Sequence, residues 1–308
     1  MSKHKPSKAD QEKSGAALSS VFAAVGLTTF KIIVGVMTGS LGILAEAAHS
    51  GLDLVAALVT FLAVRLSGKP PDAEHPYGHG KIENLSALIE TILLLVTCVW
   101  IIYEAIQRLF FHPVKVELSA WSFIVMATSI VVDITRSRIL YRAAKKYKSQ
   151  ALEADALHFS TDVWSSSVVI LGLACVGISQ LVKGVDWLEN ADAVAALAVA
   201  VIVVYVSVQL GMRTVEGLLD TAPKDMASQI KKEVESIEGV SDCHNIRVRH
   251  SGPHLFVDVH ILVDGRLSLL EAHALTELVE EKIKALSGDV DVTVHPEPRT
   301  DLNNELEV

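Results

Sequence analysis

Apolar stretches long enough to cross a bilayer recur along the first two thirds of this 308-residue chain, and they leave few folds open. A hydrocarbon core of roughly 30 Å asks for about 20 apolar residues in a helix, since every backbone polar group inside it must be satisfied internally. The stretches 17–37, 41–66, 83–110, 120–141, 156–181 and 190–212 meet that length and predict six membrane-spanning helices. Half of the residues are hydrophobic and the mean hydropathy is +0.39, too apolar for an ordinary soluble protein.

Basic residues set the orientation. They gather in Met1–Gly15 (Lys3, Lys5, Lys8, Lys13), in the 65–81 loop (Arg65, Lys69, Lys81) and in 136–148 (Arg136, Arg138, Arg142, Lys145, Lys146, Lys148). The alternate loops hold only Lys115 and Lys183, with Arg108 at a span end. Positive loops stay in the cytosol, which puts both termini there. No small-residue cleavage site follows a short apolar core, so the first span is expected to be retained. The short chain suits a bacterial cytoplasmic membrane; an organelle remains open.

Apolar sequence gives way near Leu218–Lys224, where Pro223 stops a helix or sits in the first turn of the next. The chain divides into a cytosolic tail at 1–15, a six-helix membrane domain at 16–217, a cytosolic domain at 218–298 and a flexible tail at 299–308. Beyond Pro223 the pattern predicts a helix at 225–238, strands at 243–250 and 254–263, a helix at 268–286 and a strand at 289–295. The order αββαβ suggests a small α+β sheet with helices on one face. From Thr221 to Val308 there are 9 Lys+Arg against 17 Asp+Glu. Such a surface repels nucleic acid and attracts cations, although solubility alone would also explain it.

Two short motifs carry the chemistry. His49-Ser50-Gly51-Leu52-Asp53 and His158-Phe159-Ser160-Thr161-Asp162 each set an imidazole and a carboxylate four residues apart, on one helix face. Together they offer two nitrogens and two oxygens, enough to close a tetrahedral site on a divalent metal such as zinc. Ionisable groups inside a membrane are costly and usually line a substrate path. Two neutral imidazoles and two carboxylates carry −2, which one divalent cation cancels and proton uptake relieves. Histidine, with an ordinary pKa near 6.5, suits metal–proton exchange at neutral pH. The bland alternative is a pair of histidines bonded to neighbouring helices.

A second cluster, Asp72, His75 and His79, lies in the Pro/Gly-rich 67–80 loop, and a third, His244, His260, His273, His295 and Glu297, in the cytosolic domain. Eight of the chain's 12 histidines fall in these three groups; His4, His112, His250 and His254 are expected to be solvated or supporting. Cys98 and Cys175 are expected to pack within spans, and Cys243 has no CxxC partner to make it a ligand. Among other charges in spans, Asp133 is expected to pair with Arg136 or Arg138. Lys31 is expected to snorkel, Glu46 to bond between helices or support His49, and Asp155 to end a span in solvent or guide cations. Glu90 carries no assignment.

The chain resembles the cation diffusion facilitator family of metal–proton antiporters across roughly residues 15 to 300. The resemblance rests on Ala45–Asp53, His75-Pro76-Tyr77-Gly78-His79-Gly80-Lys81, Ala156–Asp162 and Leu218-Leu219-Asp220, with Asn245-Ile246-Arg247-Val248-Arg249 and Val294-His295-Pro296-Glu297 in agreement. It implies a transport site at His49, Asp53, His158 and Asp162, and a loop site at Asp72, His75 and His79. It also implies a binuclear cytosolic site at His244, His260, His273, His295 and Glu297 near a dimer interface, and a charge contact between Lys81 and Asp220 that holds protomers together. A homodimer with a ferredoxin-like C-terminal domain follows from the same resemblance.

Two positions depart from relatives. Bacterial members with a related loop cluster have Asp where this chain has His49; His-Asp/His-Asp goes with zinc preference in the family, and nitrogen in place of oxygen favours zinc over manganese or magnesium. Glu297 stands where some relatives have Asp, a longer arm still able to bridge metals.

The reading is therefore a proton-coupled zinc exporter, with no cofactor and no enzymatic activity; the metal is substrate and regulatory ligand. Iron, manganese, cobalt or cadmium as cargo, and a metal-sensing scaffold that does not transport, stay as alternatives. A membrane zinc hydrolase fits poorly: no HExxH occurs, and four protein ligands leave no position for water.

Overall fold

The computed structural model describes residues 7–110, 120–181, 191–287 and 290–299. Lys115, Lys183, His4, His112 and the 300–308 tail lie outside the described residues, as does the side chain of Cys175. Two compact units, 1–215 and 216–308, are each described separately.

The first unit consists of six long helices: α1 (Lys8–Thr38), α2 (Leu41–Ser67), α3 (Lys81–Phe110), α4 (Ala120–Tyr147), α5 (Gln150–Leu181) and α6 (Ala191–Leu218). By length and composition, four stretches suffice to cross a membrane among the described residues: Lys8–Thr38, Glu46–Ser67, Lys81–Gln107 and Leu197–Leu218. α4 and α5 are as long, but they bear charges such as Asp133, Arg136, Asp155 and Asp162 along their lengths.

α1 begins at Lys8, inside the segment expected to be a polar tail. The cause is a capping box: Ser7 Oγ accepts from the Asp10 amide at 3.1 Å, and the Asp10 carboxylate accepts from the Ser7 amide at 3.3 Å. At the other end Gly39, with φ of 66°, closes α1 and Ser40 caps α2 through the Ile43 amide. The two helices lie close there. A Cβ on Gly35 would come within 2.8 Å of Leu44 Cδ2.

Small residues line the helix contacts: Ala17, Ala57, Ala144, Ala151 and Ala156 surround Leu140, Leu152 and Phe159. In a membrane there is no hydrophobic force between helices, so close approach of small residues and polar contacts hold them. Large apolar side chains such as Phe22, Met37, Leu52, Val99 and Trp100 point outward.

The polar contacts are buried and specific. Lys13 Nζ lies 2.9 Å from Glu83 Oε1, and Glu83 also accepts from Ser67 Oγ (2.8 Å) and from Ser149 Oγ, joining α1, α2, α3 and the α4–α5 turn. Arg136 lies 3.2 Å from Asp133, as expected, and donates to Ser20 Oγ at 3.1 Å while its guanidinium stacks over Phe159. Lys31 does not snorkel. It is 4 % exposed and donates to Ser50 Oγ at 2.8 Å and to Glu46 at 3.3 Å, both acceptors supplied by α2. Asp155 is fully buried rather than solvated, accepting from Ser20 Oγ at 3.4 Å. Glu90 accepts from Thr60 Oγ1.

The second unit follows the order α7 (Met226–Glu235), β1 (Asp242–Ser251), β2 (His254–Asp264), α8 (Leu269–Ser287) and β3 (Val290–Arg299). β1 pairs antiparallel with β2, and β2 pairs parallel with β3 across α8. A ferredoxin-like βαββαβ sheet has a strand before its first helix; among the described residues none precedes α7. Leu255, Val257, Val259, Ile261 and Val263 of β2 enter a core with Ile230 and Val234 of α7 and Val279 and Ile283 of α8. The alternate residues, His260 among them, take the other face. β3 runs to Arg299, past the strand end expected at 295. Pro296 and Pro298 are tolerated because β3 is an edge strand, where a missing N–H faces outward.

Removing one partner of the Lys13–Glu83 pair leaves a buried charge. Lys13→Met is expected to cost about 3–5 kcal/mol, seen as a fall in thermal midpoint in detergent, and Lys13→Met with Glu83→Met is expected to recover much of it.

Candidate metal centres

Among the described residues, three groups of side chains could hold a metal ion. The first joins α2 to α5. His49 and Asp53 are one turn apart on α2, His158 and Asp162 one turn apart on α5, and helical spacing turns each pair to one face. His158 Nε2 lies 3.1 Å from Asp53 Oδ1 and 3.7 Å from Asp162 Oδ2. His49 Nε2 lies 3.9 Å from both Asp53 Oδ1 and Asp162 Oδ1. Carboxylates and imidazoles therefore alternate between the two helices; one ligand atom each from His49, Asp53 and Asp162 falls within 4.8 Å of the others, and His158 stands beside this set rather than in it. His158 Nδ1 is buried without a hydrogen-bond partner, so its Nε2 carries the polar contacts of the ring.

The second cluster is built by the backbone of the α2–α3 loop. Asp72 Oδ1 accepts from the Glu74 amide at 3.0 Å and from the His75 amide at 2.7 Å, folding the chain into a tight turn. Gly78, with φ of 78°, then donates to the His75 carbonyl at 2.9 Å. The turn brings the His75 and His79 rings to 4.4 Å. Asp72 sits between them, 3.3 Å from His75 Nδ1 and 3.4 Å from His79 Nε2. The His75 amide hydrogen bond holds the Asp72 carboxyl below its ordinary value.

In the second unit, strand register makes a row. His244, His260 and His295 occupy paired positions on β1, β2 and β3. The β1 ladder shifts between His244 and Arg247, where Asn245 adopts φ of 49°; such a bulge re-aims the strand locally. Glu297, two residues past His295, takes the same face. Its carboxylate lies 2.7 Å from His260 Nδ1, 3.2 Å from His244 Nε2 and 3.9 Å from His295 Nε2. His260 holds that carboxyl below its usual range, chiefly by its hydrogen bond.

His273 does not join this row. It stands on α8, in the helix layer, 66 % exposed and 3.7 Å from Glu277. Cys243 faces the core, as strand alternation demands of the neighbour of His244, and burial pushes its thiol up to about 11, away from the thiolate that binds metal. Asp242 is a supporting residue not named from the sequence: its carboxylate takes His244 Nδ1 at 2.9 Å, leaving Nε2 for the cluster. Period-two spacing from His244 is the signal that could have found it.

The first unit thus has a helical membrane architecture with paired ionisable groups at its centre, and the second is a small α+β domain with a histidine row on its open sheet face. Residues 17–219 match the cation efflux transmembrane domain, and residues 222–299 match the cation efflux protein cytoplasmic domain. The cation-efflux pump FieF of Cronobacter sakazakii is 32 % identical over 288 residues, covering 92 % of each chain. That of Citrobacter koseri is 33 % identical over 288 residues, again covering 92 % of each. The metal-bound C-terminal domain of the CzcD transporter from Thermotoga maritima is 33 % identical, covering 25 % of this chain and 92 % of that one with a TM-score of 0.24. This chain belongs to the cation diffusion facilitator family.

A carboxyl held low in the fold contributes stability above its unfolded pKa and loses it as pH falls through the folded value. With chelator present, the difference in thermal midpoint between wild type and Glu297→Gln is expected to shrink as pH falls from about 5 and to vanish well below pH 4. A difference that instead grew over that interval would contradict the assigned hydrogen bond.

Proposed function

We propose that the chain exports zinc, or a similar divalent cation, from the cytosol in exchange for protons, as a homodimer of six-span protomers with cytosolic termini. The observation that carries this reading is the alternation of two imidazoles and two carboxylates between α2 and α5, at separations of 3.1 to 3.9 Å. A tetrahedral zinc with ligands at about 2.0 Å has edges of about 3.3 Å. His49, Asp53 and Asp162 already bring one ligand atom each within 4.8 Å of one another, and His158, 3.1 Å from Asp53 and 3.7 Å from Asp162, would complete the shell after a shift of its ring.

Coupling follows from the same atoms. The imidazole nitrogens that would take the metal are, in this structure, directed at carboxylates, so that protons and metal compete for the same atoms. Metal entry from the cytosolic side displaces those protons, and protons on the opposite side displace the metal. The mixed nitrogen and oxygen set favours a borderline ion over manganese or magnesium. Four protein ligands leave no place for a reacting water, which supports transport over hydrolysis.

The accessory clusters fit divalent metal as well. Asp72, His75 and His79 form a compact set of two nitrogens and one carboxylate on the loop. His244, His260 and Glu297 form another, with His295 beside it. His273 lies in the helix layer, so its part in the cytosolic site would be played toward a second copy of the chain. The family's Lys81–Asp220 charge contact belongs to the same proposed dimer. Metal bound at the cytosolic row would report the cytosolic concentration to the membrane domain.

Proteoliposomes with an acidic lumen and the cytosolic face outward are expected to accumulate zinc, at rates that fall when the pH gradient is collapsed. Asp162→Ala is expected to reduce that flux by at least about tenfold, since even outer-shell substitutions cost 10- to 100-fold in metal affinity. Dominant iron or manganese flux would overturn the metal choice, and no flux from folded protein would favour the sensor. His260→Ala with His295→Ala is expected to weaken the response of flux to cytosol-side zinc; an unchanged response would remove the sensing role.

A further inference from the structure

A cavity of about 500 Å3 opens between α4, α5 and α6. Arg138 and Arg142 from α4 and Arg213 from α6 line it where α4 and α6 finish and α5 begins. One to two turns further into the bundle its wall is apolar, made by Leu157 of α5 with Val206 and Leu210 of α6. Behind it, Ser137 and Ser160 join α4 to α5 with a 2.7 Å hydrogen bond.

Charge at the mouth is unbalanced. Arg213 is tied to Glu153 at 2.8 Å, but neither Arg138 nor Arg142 has an ion-pair partner among the described residues. Three cations against one anion leave two guanidinium groups, one helical turn apart, on the same helix face. Guanidinium groups take phosphate by paired hydrogen bonds and hold it at an apolar boundary better than lysine does. The wall behind them asks for hydrocarbon. The volume lies in the range of small-molecule sites, roughly 300–1,000 Å3, enough for a headgroup and the adjoining part of one acyl chain. The basic end of the bundle faces the leaflet that carries anionic lipid.

We propose that this cleft binds a single anionic phospholipid of the cytosolic leaflet, its phosphate at Arg138 and Arg142 and one acyl chain against Leu157, Val206 and Leu210. The inference rests on the proposed orientation, with the basic end of the bundle in the cytosol, and not on metal export. Its consequence for transport is direct, because the occupant bears on α5 next to His158.

The test uses full-length protein, delipidated in detergent and offered phosphatidylglycerol or phosphatidylcholine of equal chain length, with retained lipid counted by native mass spectrometry. One phosphatidylglycerol per protomer is expected, with phosphatidylcholine retained far less. Arg138→Gln with Arg142→Gln is expected to weaken retention about thirtyfold, at about fivefold per cation. Val206→Trp, which keeps both arginines and fills the apolar wall, is expected to weaken it too. Equal retention of the two lipids, or unchanged retention in both variants, overturns the proposal. Glycerol phosphate competing as well as the lipid would assign the site to a soluble phosphate instead. Loss of dimers with unchanged lipid retention would assign it to a contact between copies.

Discussion

Charge sunk in an apolar domain must be matched from within, and that requirement determines which helices meet. Lys13 answers Glu83, Lys31 answers Glu46, Arg136 answers Asp133, and the histidines of α2 and α5 answer two aspartates. Asp133 and Arg136 are one turn apart on α4, but each of the other pairings joins two helices that apolar contact alone would not bring together, because lipid tails solvate leucine as well as another helix does. The alanine-lined contacts then let the helices come near enough for short polar side chains to reach. Packing and electrostatics are here a single constraint.

The site inherits its shape from this arrangement. α2 and α5 contribute one histidine and one aspartate each, and Arg136, stacked on Phe159 beside His158, ties α5 to α1 and α4 through Ser20 and Asp133. Ser50, directly after His49, receives Lys31. Groups next to the ligands are thus fixed by neighbours that have no ligand role, which limits how far α2 and α5 can slide without breaking buried contacts.

The local patterns were readable in the chain, and long-range pairings were not. The i, i+4 spacing of His49 with Asp53 and of His158 with Asp162 declares a shared helix face, and alternation in 254–263 declares a strand with His260 turned from the core. Lys31 was misread because snorkelling is the default for a lone lysine, whereas its acceptors Glu46 and Ser50 come from another helix. The early start of α1 was present in Ser7-Lys8-Ala9-Asp10 and was hidden by the lysines around it. β3 was cut short at the prolines, whose tolerance depends on being at the edge, a fact of topology rather than of sequence. His273 joins the cytosolic histidines through the family resemblance, and strand register has no say in that grouping because the residue stands on α8.

The prolines of β3 have a further effect. Pro296 and Pro298 flank Glu297, and with the ladder to β2 intact their ring nitrogens lie along the free side of the sheet. That side lacks two of the donors a visiting strand would need, so it cannot be prolonged into a continuous ribbon with another molecule. The domain is left with its faces, its helix flanks and the opposite edge at β1 as the surfaces through which it can make company, while the carboxylate between the prolines stays clear of any intruding backbone.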